Sequence, residues 1–417
     1  MIALYILPAY IVANLYVCIW LIRWIKDMCG GRLPIAAQVI IHILYWPLPL
    51  AMYVAILVPE GDLRRILNVA GTYWYGVLIY ILLTIGILDL IRVIIRKKKK
   101  IPKGEPTLSK KGFRIVGAVS LAFLVFIAVW GGIQARTLYN TEYEIDVKKS
   151  AGNNMESLDV CLVSDMHMGY SVGVEQISNM VDMINAYNPD LVVLAGDIFD
   201  NNYDALEDPD KLIDLYKSIK SKYGVYAVYG NHDIDEKILG GFTFTSDEKT
   251  VADERMDKFL EDAGVVNLRD EGLVIDNAFY LYGRPDYTKL GSGVEERKTP
   301  EAITANVDKS MPILVIDHQP REFQELADAG VDVDFSGHTH DGQLFPLNLT
   351  GAIIWENPCG LYKKDNMYSI VTSGVGFYGP GVRIGTKAEV VNVKINFTGG
   401  SYEGNQQNQT THNSKLY

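Results

Sequence analysis

At 417 residues, 48% of them hydrophobic and 21% charged, the chain has material for two or three domains and a sizeable buried core. Residues 1–136 carry a net charge of +11 and residues 137–417 a net −22 within an overall −11. So acidic a second part repels polyphosphate backbones, which disfavours a nucleic-acid partner unless a local positive site such as a metal cluster overrides the field. The four cysteines, Cys18, Cys29, Cys161 and Cys359, form no CxxC pair, which excludes a disulfide scaffold in the acidic part.

From the N-terminus, Met1–Ile22, Leu33–Val58, Ile66–Leu88 and Ile115–Ala135 contain no Asp, Glu, Lys or Arg. Each reaches the ~20 residues a helix needs to cross a bilayer, and none shows the polar face of a helix in a soluble core. The sequence therefore predicts a transmembrane region over residues 1–136, with spans at about 1–22, 35–58, 71–93 and 114–135, and a lipid bilayer as partner. His42 falls inside the second span, where helix packing is its expected role.

Ten Lys or Arg lie between Arg92 and Arg114, whereas the loop PEGDLRR has two. That imbalance predicts a cytoplasmic third loop, which places the N-terminus and everything beyond Arg136 outside the cytoplasm in a multi-pass protein of the cell membrane. Apolar residues follow Met1 directly, without a basic region or a small-residue cleavage site, so the first span reads as retained.

Residues 137–157 read as a linker or first strand, and then the pattern changes. LDVCLVSD and LVVLAGD are short apolar runs that end in a carboxylate, with Val174, Ile177, Val181, Ile184 and Tyr187 at helical spacing between them. VYAVYGNHD, AFYLYGRPD, PILVIDHQP and VDFSGHTH repeat the form, and EVVNVKINF closes the domain as a strand. This is an α/β pattern with polar groups gathered where strands end, the edge at which open α/β sheets bind ligands. Residues 399–417, rich in Asn, Gln and Thr, read as a disordered polar tail.

Asp165 and His167 follow the first run, Asp197 and Asp200 the second, and Asn231, His232 and Asp233 the third; His318, His338 and His340 follow later ones. Each motif alone is weak, since a DxH arises by chance and a GD is often only a turn. Together they gather oxygen and imidazole donors at successive strand ends, a mixed shell that suits divalent cations. No cysteine joins them, which argues against a structural zinc site.

In the order DxH, GDxxD, GNHD, H, GHxH, residues 158–397 resemble the calcineurin-like metallophosphoesterase family, and specifically its membrane-attached bacterial-type branch. The resemblance implies a four-layer α/β/β/α sandwich over residues 158–398 and hydrolysis of a phosphomono- or phosphodiester by a hydroxide bridging two divalent ions. Mn²⁺ is the preferred ion, with Fe or Zn as alternatives. Carried over motif by motif, Asp165, His167, Asp197 and His340 would hold one ion and Asp197, Asn231, His318 and His338 the other. His232 would serve the leaving group, with Asp200 orienting it. Two departures touch the rim: Asp341 stands where relatives often have glycine, and GRPD, Gly283–Asp286, replaces a GxDD-like segment. Arg284 could touch a substrate phosphate, although an exposed loop arginine is the plainer reading. The competing function is a catalytically silent metal-binding ectodomain that senses or scaffolds. The intact motif set argues against it.

Overall fold

The computed structural model describes residues 2–102, 105–236, 238–239, 242–243, 253–291 and 294–399. The expected polar tail lies, beyond Gly399, outside the described residues. Apolar composition produces four helices long enough to cross a membrane, at Leu7–Met28, Ile35–Ala55, Asp62–Lys98 and Lys110–Arg136. They belong to helices α1 (Ile2–Met28), α2 (Ile35–Tyr45) with α3 (Pro47–Ala55), α4 (Asp62–Lys98) and α5 (Lys110–Arg136). The second span breaks at Trp46 because Pro47 and Pro49 have no N–H to donate into the helix ladder. His42 is a packing residue of the bundle: the Trp46 indole donates to its Nδ1 at 3.2 Å, and Cys18 Sγ lies 3.4 Å from the same atom.

Two sheets follow. In the first, β1 (Leu138–Val147) and β14 (Ala388–Phe397) flank β2 (Ser157–Val163), β3 (Leu191–Ala195), β4 (Val225–Val228) and β7 (Val266–Asn267), in the order β1-β14-β2-β3-β4-β7. Strand β1 is thus an integral edge, paired in parallel with β14 along its whole length. The second sheet runs β12-β13-β11-β10-β9-β8, from β8 (Glu271–Ile275), β9 (Phe279–Gly283), β10 (Ile313–Ile316), β11 (Val333–Ser336), β12 (Gly360–Lys364) and β13 (Met367–Val371). A small hairpin, β5 (Ile238–Leu239) with β6 (Phe242–Thr243), stands apart.

Alternation along the strands assigns the layers. Val160, Leu162 and Val193 of the first sheet share a core with Leu281, Leu314 and Phe335 of the second. Their neighbours Cys161, Val163, Val192 and Leu194 face outward onto α6 (Val174–Tyr187), α7 (Pro209–Lys217) and α8 (Glu254–Asp262). On the far side, Ile313 and Val315 pack under α9 (Pro300–Thr304) and α10 (Phe323–Ala329). The result is the four-layer α/β/β/α sandwich. Because β2, β3, β4, β9, β10 and β11 each have a parallel neighbour and helices cover both outer faces, their runs are largely apolar, Asp159 and Asp334 excepted, and most polar residues collect at one edge.

The sandwich sits directly on the membrane helices. Arg65 in the second turn of α4 donates to the carbonyls of Gly169, Tyr170 and Ala205 at 2.9, 3.0 and 2.7 Å. At the end of α5, Gln176 of the sandwich donates to Ala135 O at 3.2 Å. Arg114 at the start of α5 pairs with Asp27 at the end of α1 at 2.9 Å, at the opposite pole of the bundle. The sandwich and the lysine-rich third loop are therefore at opposite ends of the helices. Replacing Arg65 by methionine keeps the stem and removes the three charge-assisted bonds. The expected loss is about 2 kcal/mol of local stability, read as faster amide exchange over residues 168–172 with α4 unchanged; unchanged exchange there would contradict it.

Candidate metal centre

Every candidate side chain stands where a strand of one of the two sheets ends. Asp165 and His167 follow β2, Asp197 and Asp200 follow β3, Asn231 and His232 follow β4, His318 follows β10, and His338 and His340 follow β11. The loops after β2 and β3 stay paired beyond the strands, with Asp165 N donating to Gly196 O and His167 N to Asp197 O, both at 2.9 Å. To aim inward they adopt left-handed backbone: φ is 54° at Asp165, 48° at His167, 50° at Asp197, 71° at His338 and 51° at His340. Each such residue outside glycine costs on the order of 1–3 kcal/mol, tolerated where surrounding structure over-determines it. Gly337 has no positive φ; its contribution is space, since a Cβ there would collide with Asp165 Oδ2 and Ser164 Oγ.

Two groups of donor atoms result. In one, His340 Nε2 lies 3.0 Å from His167 Nε2 and 3.3 Å from Asp165 Oδ1, and Asp197 Oδ2 is 3.6 Å from His167 Nε2. In the other, His318 Nε2 lies 3.1 Å from Asp197 Oδ2, 3.2 Å from Asn231 Oδ1 and 3.1 Å from His338 Nδ1. His318 Nδ1 donates to Ala195 O at 2.8 Å, which turns the Nε2 lone pair inward. His338 N donates to both carboxylate oxygens of Asp165, at 3.1 and 2.9 Å, and locks the GHxH turn against the DxH loop. The donor set is neutral imidazole, carboxylate and amide oxygen, and the Asp197 carboxylate reaches both groups. That chemistry fits two divalent cations.

Charge in this buried cluster is divided unequally. Burial works against ionised Asp197, but His318 outweighs it and holds the carboxylate well below its usual range. Burial likewise opposes a charge on His318, and Asp197 overcomes it and raises the ring well above the usual histidine value. Burial keeps Asp165 above the carboxylate range despite His318, lowers His338 to about 3, and with His167 beside it holds His340 well below normal.

Beside the first group stands His232, its ring 5.0 Å from that of His167. Burial lowers it to about 4, so the ring is neutral near pH 7. Its Nδ1 bonds Asn201 Oδ1, and Asn201 Nδ2 donates to Ile234 O at 3.2 Å, which fixes the amide orientation. Asp200 Oδ1, expected to orient His232, lies 3.9 Å from its Nδ1 and 3.6 Å from His167 Nδ1, facing both rings without a direct bond to either. Asp233 serves the turn: its carboxylate accepts from Phe199 N and Gly230 N at 2.8 and 2.7 Å.

Arg284 takes neither role considered for it. It is fully buried, with Nη1 3.1 Å from Asp317 and Nη2 2.9 Å from Glu322, so it neither reaches a substrate nor lies exposed on a loop. Asp286 caps its own turn by accepting from Thr288 N and Lys289 N, both at 2.8 Å. Asp341 is half-buried beside His340, with burial raising its carboxyl to about 6.

Sequence reasoning missed four contributors. Asn201 was hidden beside the GDIFD motif. Tyr378 and Arg383 lie in the glycine-rich stretch SGVGFYGPGVRIG, the one visible signal. The Tyr378 ring stands 4.7 Å from that of His232, and the buried Arg383 guanidinium donates to His340 O at 3.3 Å with Nη2 3.2 Å from His340 Nδ1. Gln343, three residues past the paired-histidine motif, donates to the carbonyls of Tyr378 and Pro380 at 3.0 and 2.9 Å and holds that stretch in place.

Residues 158–342 match the model of the calcineurin-like phosphoesterase family. The chain is 26% identical over 395 residues, 89% of its own length and 84% of the other, to a transmembrane protein with metallophosphoesterase domain from Danio rerio. It is 25% identical over 313 residues, 73% of its length and 75% of the other, to an uncharacterised metallophosphoesterase of Campylobacter jejuni. Among solved structures, a dimetal phosphatase from Danio rerio aligns with 58% of this chain and 99% of its own at 13% identity and a TM-score of 0.30.

Because Asp197 keeps His318 protonated in the cation-free cluster, a cation entering there displaces a proton. Lowering the pH supplies the competitor, so cation affinity falls as pH falls and recovers as pH rises toward the raised His318 value. Titration calorimetry with Mn²⁺ in buffers of different ionisation heat reads the effect. Proton release at pH 7 is expected, and affinity independent of pH between 6 and 8 would sink the assignment.

Proposed function

Residues 158–342 are a calcineurin-like phosphoesterase domain, and on that premise we propose that this hydrolase of phosphoester bonds is a membrane-anchored dinuclear enzyme working at the extracytoplasmic face. The observation that carries the reading is the position of Asp197 Oδ2, 3.1 Å from His318 Nε2 and 3.6 Å from His167 Nε2, where one carboxylate serves both donor groups. Asp165, His167, Asp197 and His340 would hold one cation and Asp197, Asn231, His318 and His338 the other, Mn²⁺ being the preferred ion. The chemistry such a pair of cations would supply is a lowered pKa for bound water and positive charge that attracts a phosphoryl oxygen into an otherwise acidic domain.

The chain's own residues then divide the remaining work. His318 and His338 keep their lone pairs inward, and Asp165 anchors the GHxH turn. His232 acts at the leaving oxygen of a phosphomono- or phosphodiester. With Nδ1–H given to Asn201, the neutral ring presents Nε2 to the cleft; negative phosphoryl oxygens offset the burial that holds the free ring near 4 and let Nε2 carry a proton to the departing oxygen. Asp200 supports that imidazolium from 3.9 Å. The proximity of the cleft to the helices favours lipid-linked or cell-envelope substrates over freely diffusing nucleotides.

A hydrolysis screen on the metal-reconstituted full chain tests this reading. EDTA-stripped protein should lose turnover and regain it with Mn²⁺; full turnover without metal would refute the dinuclear assignment. His232→Ala should keep both cations and lose about 10²- to 10⁴-fold in kcat, less for p-nitrophenol than for an alkoxide leaving group. Equal losses for both leaving groups, or loss of a cation, would remove His232 from that role.

Orientation is tested separately. Of the fifteen Lys and Arg among the described residues of 2–136, twelve lie at the pole opposite the sandwich, leaving Arg64, Arg65 and Arg136 beside it. A C-terminal fusion to a reporter active only outside the cytoplasm should be active, and one that fluoresces only inside should be dark. The reverse pair would overturn the orientation.

A further inference from the structure

The segment Leu344–Trp355, LFPLNLTGAIIW, begins four residues after His340 and contains no Asp, Glu, Lys or Arg. It carries α11 (Asn348–Ile354) and projects Phe345, Leu347, Leu349, Ile353 and Ile354 outward, at 49, 49, 60, 85 and 68% exposure. So many exposed large apolar side chains in one short stretch mark an interaction surface.

Its height along the helices identifies the surface. Tyr80 of α4 donates to Phe345 O at 2.9 Å, and Leu344 and Val382 form one buried cluster with Tyr80. Arg383 N donates to Gly131 O of α5 at 2.9 Å, and Ile384 and Val382 lie where a side chain on Gly131 would project. Basic residues fix the far boundary of the hydrocarbon: α4 ends in Arg96, Lys97 and Lys98, and Arg114 lies in the first turns of α5. About 20 residues, roughly 30 Å of helix, cross the core, so the near boundary falls at about Gly76 on α4 and Gln134 on α5. Tyr80 and Gly131 are then both about 5 Å inside the hydrocarbon. Taking Arg92 as the far boundary places them deeper.

We propose that Leu344–Trp355 inserts into the leaflet beside α4 and α5 and forms the lipid-facing rim of the metal centre, presenting it to phosphoesters carried on membrane lipids. The depth matches the ~5–10 Å at which interfacial helices lie. Trp355 connects the rim to the site: its ring is 5.4 Å from that of His338, and the Arg321 guanidinium lies 4.6 Å above the same indole. A lipid whose chains lie along Leu349 and Ile353 would hold its phosphate at the level of Trp355. The substrate half of this inference rests on the hydrolase reading above; the insertion half does not.

The test uses the full chain in nanodiscs of phosphatidylethanolamine and phosphatidylglycerol. An environment-sensitive fluorophore is placed at Ile353→Cys, with Glu301→Cys as a water-facing control, both in a Cys29→Ser background corrected for the unsubstituted protein. Quenching at 353 by shallow spin-labelled lipid and not by iodide is expected, with the opposite at 301. Quenching of 353 by iodide overturns insertion, and shielding from both quenchers means a protein covers the rim and overturns it equally. The double variant Leu349→Glu/Ile353→Glu should lower turnover of phosphatidic acid or headgroup-labelled phosphatidylethanolamine at least tenfold, with aqueous p-nitrophenyl esters changed less than twofold. Equal effects on both classes, or turnover of aqueous esters but of neither lipid by the unsubstituted chain, refutes lipid delivery. If no ester of any class is cleaved, the hydrolase reading fails and lipid delivery with it, while the label still decides insertion.

Discussion

Two aspartates, four imidazoles and an amide oxygen crowded into one buried volume form the constraint on which the rest of the structure depends. Apart from the Asp197–His318 pair, donors packed 3.0 to 3.3 Å apart do not assemble by attraction to one another. They are held by backbone: parallel strands from two sheets end at one edge, and five of these residues leave their strands in left-handed conformations. The interleaved core between the sheets, built from Leu162, Val193, Leu314 and Phe335, keeps the two sets of strand ends in register. Catalytic geometry here is a property of the sandwich as a whole.

The second structural fact is that the membrane region is more than a tether. Arg65 ties α4 to the loop after His167, and Gln176 ties the sandwich to the end of α5. The stretch carrying Tyr378 and Arg383 is shared by both parts, with Gln343 pinning it from the GHxH side. The sites of helix contact include Gly76 and Gly131, where any side chain would meet Pro380, Val382 or Ile384, beside the apolar cluster around Tyr80. Close packing of this kind leaves little freedom for the sandwich to swing away from the bilayer.

What the sequence made legible follows from physics that acts locally. An apolar run ending in Asp, Asn or His is readable because a buried strand and its polar terminus are contiguous, so the layers and the donor residues could be anticipated from LDVCLVSD or PILVIDHQP. The length of α4 could not, because the charge-free criterion stops at Ile66, while Arg64 and Arg65 continue the helix and Arg65 satisfies carbonyls of a domain more than a hundred residues away. Arg284 was misjudged for the same reason: burial of a guanidinium depends on partners, Asp317 and Glu322, that spacing does not reveal. Asn201 and Arg383 act through contacts that are close in space and distant or unremarkable in sequence.

Arg383 joins two of these observations. Its amide is bonded to Gly131 O in α5, and its guanidinium to His340 O, so a single residue spans from membrane helix to donor loop. No hinge lies between those bonds, and the side chain is fully buried against relaxation. A bilayer whose thickness mismatches α5 acts on that helix, and Arg383 is the residue that joins it to the His340 loop. The apolar helix and the donor loop thus share one buried residue, so the bundle is part of the frame that holds the donors.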